Sequence, residues 1–100
     1  MTTKKFYEMT ICLWKGSQFD EDDDTKYYAN YDTADAAFDT SVKDMYHHFE
    51  DWYDSEFILI NEEKLVDGTR VCTITGHNEG DETDTDTCKV MLKELKMIID

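Results

Sequence analysis

The clearest pattern along the chain lies in residues 6–15, FYEMTICLWK, where Tyr7, Met9, Ile11 and Leu13 occupy every second position. That period predicts a strand with one buried face. Gly16-Ser17 ends it. Asp20, Glu21, Asp22, Asp23 and Asp24 follow as a run too charged to pack, expected as a long acidic loop. Hairpin connections usually run about 2–5 residues, so a long acidic one points to function. Tyr27-Tyr28-Ala29-Asn30-Tyr31 then reads as a short aromatic strand paired back onto the first. After it the period changes. Ala34, Ala37/Phe38, Ser41/Val42, Met45, Phe49 and Trp52 recur at steps of three and four, predicting an amphipathic helix over 33–53 with Asp32-Thr33 as its cap. The opposite face of that helix carries Asp35, Asp39, Lys43, Asp44, His47, Glu50, Asp51 and Asp54.

Phe57–Ile60 and Arg70–Thr75 are compact apolar runs separated by Asp67-Gly68, the pair a type I′ hairpin turn prefers. Gly76 to Asp86, with Glu79, Asp81, Glu82, Asp84 and Asp86, is expected as a second acidic loop. Thr85 or Asp86 would cap a final helix with Cys88, Met91/Leu92, Leu95 and Ile98/Ile99 on its apolar side. The expected order is ββαββα. This is an α+β fold: one domain, 1–100, with an antiparallel sheet of about four strands and both helices on one face.

Composition narrows the function. Ten Lys and Arg stand against 24 Asp and Glu, a net charge of −14, while 40% hydrophobic and 13% aromatic content argues against a disordered acidic tail. The charge is uneven: residues 16–86 hold 21 acids against Lys26, Lys43, Lys64 and Arg70, a net of −17, whereas 1–15 carry +2 and 87–100 carry +1. Direct nucleic-acid binding is excluded, because phosphate contacts need clustered Lys and Arg. No apolar run reaches the roughly 20 residues of a membrane span, and no apolar stretch after Lys4-Lys5 resembles a secretory signal. Cys12, Cys72 and Cys88 form no disulfide framework and read as reduced, packed thiols, so the expected location is cytoplasmic.

Sites of chemistry are scarce. An EF-hand needs Gly at position 6 and Glu at position 12 of its loop. Counting from Asp20, those positions hold Thr25 and Tyr31; counting from Asp84, Cys88 occupies position 5. Zinc has weak candidates in His47, His48, Cys72 and His77, with Asp44–His48 and His47–Asp51 at helical spacing, but no Cys-x-x-Cys occurs. No nucleophile elbow, His-Glu-x-x-His or Gly-rich phosphate loop is present, so an enzyme is not expected. Cys72 with His77 could make a nucleophilic pair only if the thiol ionised, and a strand cysteine without cationic surroundings keeps its proton.

The acids themselves remain: Asp20–Asp24, the helix face from Asp35 through Asp39, Asp44, Glu50 and Asp51 to Asp54, and Glu79–Asp86. Tyr27, Tyr28, Tyr31, Tyr46 and Tyr53 are interleaved with them as candidate interface anchors. In these acidic segments, in size and in the lack of a catalytic motif, the chain resembles the small acidic phage and mobile-element proteins that disarm bacterial nucleases, the anti-CRISPR and anti-restriction proteins. The resemblance covers no alignable motif and transfers no residue role. It implies a non-enzymatic inhibitor that binds a basic nucleic-acid-binding surface of a CRISPR or restriction nuclease and blocks target-DNA loading, in one form as a DNA mimic. The alternatives are a zinc-stabilised protein-binding module and an acidic regulatory subunit with no mimic role.

Overall fold

A computed structural model describes residues 2–15, 18–78 and 80–99. Its elements are β1 (Thr2–Lys15), β2 (Gln18–Tyr28), helix α1 (Tyr31–Trp52), a 3-10 turn (Ser55–Phe57), β3 (Ile58–Lys64), β4 (Arg70–Asn78) and β5 (Asp81–Ile99). The strands form one antiparallel sheet in the order β2-β1-β5-β4-β3, with α1 packed on one face.

The period-two residues of the sequence make that packed face. Met9 stands opposite Leu92, Ile11 opposite Val90 and Leu13 opposite Cys88; across β5, Cys72 stands opposite Val90 and Ile74 opposite Cys88. Onto this layer α1 lowers Ala34, Phe38 and Phe49, all fully buried. Gly76 sets how closely the helix end approaches. A Cβ there would lie 2.6 Å from Cδ2 of Tyr53 and 2.9 Å from Cδ2 of Phe49. Trp52, expected in the core, is 49% exposed instead. The helix starts two residues earlier than its periodicity suggested, because the Asn30 side chain accepts from the backbone N–H groups of Asp32 and Thr33.

The expected ββαββα order with two helices is overturned: the chain has one helix and five strands. Residues 87–99, expected as the second helix, belong to β5. Leu, Lys, Glu and Met favour helix intrinsically. However, Cys88, Val90 and Leu92 also alternate, and β5 sits at the centre of the sheet with β1 on one side and β4 on the other. Pairing on both edges and burial of that alternating face override the propensity.

Both acidic loops are likewise strands. Asp20–Asp24 lie within β2, which begins at Gln18, so β1 and β2 form a tight hairpin rather than a long connection. An edge strand tolerates a charged run because it buries little and charge discourages further pairing. Asp81, Glu82, Asp84 and Asp86 lie within β5. The β3–β4 hairpin forms where expected, with a different turn. Only Gly68 has positive φ, at 90°, and Leu65 and Thr69 close a three-residue loop. Asp67 accepts the Thr69 backbone N–H at 2.9 Å, and that bond holds its carboxyl below the usual range.

Candidate functional site: a polarised acidic surface

Strand register sorts the charged residues by position along the molecule, which extends 58 Å in its longest direction and 24 Å and 23 Å across it. β5 shows the gradient by itself: Asp81, Glu82, Asp84 and Asp86 come first, then Lys89, Lys93 and Lys96. Asp86 stands level with Lys15 and Gly76, whereas Lys96 stands level with Lys5. On the far side of β1, Asp20 is level with Leu13 and Asp24 with Ile11. The helix joins the acidic half through its C-terminal turn, since Tyr53 packs over Gly76 and its hydroxyl donates to Asp86 at 2.5 Å.

That end of α1 carries Glu50, Asp51 and, just beyond it, Asp54, all exposed. With Trp52, Tyr53, Phe57 and His77 they line a shallow polar cavity of about 190 Å³. Carboxylates beside aromatic faces offer a cationic side chain both ion pairing and cation–π contact. Glu50 is also within 3.1 Å of His47 Nδ1. Asp44 is exposed on the same helix, where Lys43 is the only cation. Asp24 is exposed and pairs with Lys26 at 3.9 Å. Glu79 lies outside the described residues, as do the side chains of Asp20–Asp23, Asp81, Glu82 and Asp84.

Asp35 and Asp39 are not free surface acids. Both pair with Arg70 at the start of β4, as does Glu62 of β3, and the guanidinium carbon sits 4.2 Å above the Phe38 ring. Burial works against the guanidinium charge, but the three carboxylates overcome it and raise its pKa further. Sequence periodicity missed this cluster. The available signal was a lone arginine in a chain so rich in acids, facing two aspartates one helical turn apart.

The zinc candidates do not converge. His47 faces Glu50, His48 stacks on Trp52 at 6.1 Å and His77 lies 5.2 Å from the Phe57 ring, while Cys72 is buried in the core. Among the described residues, no three His, Cys, Asp or Glu side chains gather as metal ligands. All three cysteines are buried. Burial first, and Glu62 second, push the Cys72 thiol up, which removes the ionised sulfur a Cys72–His77 pair would need. Of the tyrosines, Tyr27 and Tyr31 are exposed, whereas Tyr28, Tyr46 and Tyr53 are half-buried against the core. Among the described residues, no helix is long and apolar enough to cross a membrane.

No family model, curated protein or solved structure matches this chain.

Proposed function

We propose that this protein is a non-enzymatic inhibitor that binds a basic, nucleic-acid-binding surface of a bacterial defence nuclease, a CRISPR effector in the first instance, and blocks loading of target DNA. The supporting observation is the gathering of Glu50, Asp51 and Asp54 around an aromatic-walled cavity, at the end of the molecule where β2 and β5 also carry their acids. A nuclease groove built to hold phosphates presents Arg and Lys in rows, and a scaffold of fixed carboxylates is their complement. Asp35 and Asp39 serve the fold through Arg70, so they drop out of the contact surface.

The test is capture of assembled CRISPR effectors by the immobilised protein, eluted with salt and competed with target DNA. Wild type should capture an effector at about 0.1 M salt and lose it by about 0.5 M, with target DNA displacing it. Asp44→Lys/Glu50→Lys/Asp51→Lys/Asp54→Lys, all at exposed positions, should abolish capture with an unchanged thermal melt. Capture that survives those reversals, or that target DNA does not displace, refutes occupation of the DNA groove.

A further inference from the structure

The sheet ends in two edge strands, β2 and β3, and an edge strand offers unpaired backbone donors and acceptors to any further strand. The free edges of this sheet are guarded unequally. β2 carries the consecutive acids Asp20–Asp24, and its pairing with β1 shifts register between Ile11 and Leu13. Charge and a break in register both discourage addition of a strand. Where β1 and β5 run on past β2 and β4, Lys4 and Lys5 stand on one strand and Lys93 and Lys96 on the other. β3 differs. It pairs with β4 from Ile58 to Lys64 without a register shift, and its first half, Ile58-Leu59-Ile60-Asn61, is uncharged. Leu59 and Ile60 are 66% and 52% exposed.

The turn fixes which groups this edge presents. Leu65 donates its backbone N–H to the Thr69 carbonyl. The bonds to β4 are then made by every second residue back along the strand, Glu63, Asn61 and Leu59. Ile58, Ile60, Glu62 and Lys64 therefore turn their backbone N–H and C=O outward. The side chains of that set lie on the face that carries α1, with Ile58 in the core and Glu62 on Arg70.

We propose that this edge pairs antiparallel with β3 of a second copy of the chain, about a two-fold axis that passes through Ile60 perpendicular to the sheet. Both helices then lie on the same side, and every residue meets one from its own face. Ile60 stands opposite Ile60 of the second copy and Ile58 opposite Glu62, and the outward backbone groups of these residues complete the ladder. Leu59 stands opposite Asn61 on the other face. Glu62 enters this ladder already paired with Arg70, and Lys64 reaches toward Glu56 in the 3-10 turn of the second copy. Neighbouring registers fit worse. An axis through Asn61 sets Leu59 against Glu63 and Ile60 against Glu62, and an axis through Glu62 opposes two carboxylates. A second copy is the occupant because the apolar centre of the edge is its own complement, and the pairing uses up the unguarded edge of both copies. Being isologous, it stops at two chains. The paired stretch is short, so the dimer is reversible and rises with concentration.

Sedimentation velocity on the full chain tests this. Wild type should pass with rising concentration from 11.8 kDa to twice that mass and stop there. Raising salt from about 0.05 M to about 0.5 M should strengthen the association, because each copy carries a net charge of −14. Ile60→Lys should remain at the monomer mass with the thermal melt of dilute wild type. Ile60→Cys puts a thiol at the axis and should crosslink to a dimer under mild oxidation, whereas Asn61→Cys, offset from its own copy, should not; the native cysteines are buried. Wild type that stays monomeric at every concentration overturns the proposal. So does association that Ile60→Lys retains, that salt dissolves, or that crosslinks through Asn61→Cys and not through Ile60→Cys. Nuclease capture is assigned to Asp44, Glu50, Asp51 and Asp54, which none of these variants alters, so the two proposals fail separately.

Discussion

Cys88 is a fully buried thiol of the core. It stands between Leu13 of β1 and Ile74 of β4, and burial, reinforced by the neighbouring Cys12 and Cys72 thiols, pushes its pKa up to about 12. The folded chain therefore keeps this proton while the unfolded chain loses it near the ordinary 9.0. The linkage sign follows. Below pH 9 the thiol contributes no pH dependence, and from there toward pH 12 stability falls, by at most about 1.4 kcal/mol per pH unit from this one group. Denaturant titrations at pH 8 to 11 on wild type and Cys88→Ala should show a shallower alkaline slope in the variant; identical slopes would remove Cys88 as a cause. Gly76 is constrained by space rather than charge. The Tyr53 ring that a new Cβ would strike is held by its hydroxyl bond to Asp86 and cannot simply swing away. Gly76→Ala should cost about 1–3 kcal/mol in denaturant midpoint analysis. A neutral substitution would show that the helix end shifts freely over β4.

Among the elements, α1 is fastened to the β3–β4 hairpin by Arg70. One guanidinium answers Asp35 and Asp39 of the helix and Glu62 of β3 while lying over Phe38. Arg70→Met keeps most of the apolar stem but leaves three carboxylates facing each other. It should destabilise the protein by about 1–3 kcal/mol, less than a fully buried pair would, because the carboxylates reach solvent. Adding Asp35→Asn to that variant should recover part of the loss, and high salt should narrow the gap to wild type. Failure of both would assign the cost to packing on Phe38 alone. β5 shows why element type was only partly legible in the sequence. Residues 88–99 satisfy a helical period and a strand period at once, and their composition favours the helix. The ambiguity is resolved by β1 and β4, which lie far away in sequence and flank β5 on both sides. β1 and α1 had less ambiguity, since the face each turns to the shared core follows one period, Tyr7, Met9, Ile11 and Leu13 in the strand and Ala34, Phe38 and Phe49 in the helix.

For the whole molecule, the decisive feature is separation of charge along the long axis. The sequence shows an acidic middle and two weakly basic ends. Antiparallel pairing of β1 with β5 brings Lys4 and Lys5 of one end beside Lys96 of the other. It also places the acids of β2, β5 and the end of α1 in the opposite half. This arrangement underlies the proposed function, in which the acidic half faces a basic partner.

The sequence by itself determined the amphipathic strand β1, the helix α1, the hairpin turning at Asp67-Gly68, the burial of the three cysteines and the sign and size of the net charge. Each of these follows from spacing or composition within a short window, where the physics is local and additive. Tertiary structure alone decided that β5 is a strand, that the acidic runs are paired rather than looped, and that Asp35 and Asp39 are claimed by Arg70. It also decided that Lys4 and Lys5 stand beside Lys96. Those outcomes depend on which distant segment supplies the hydrogen bonds and the counter-charge, and in this chain the partners lie 31 and 35 residues apart for the Arg70 contacts and nearly the full chain length apart for the pairing of β1 with β5.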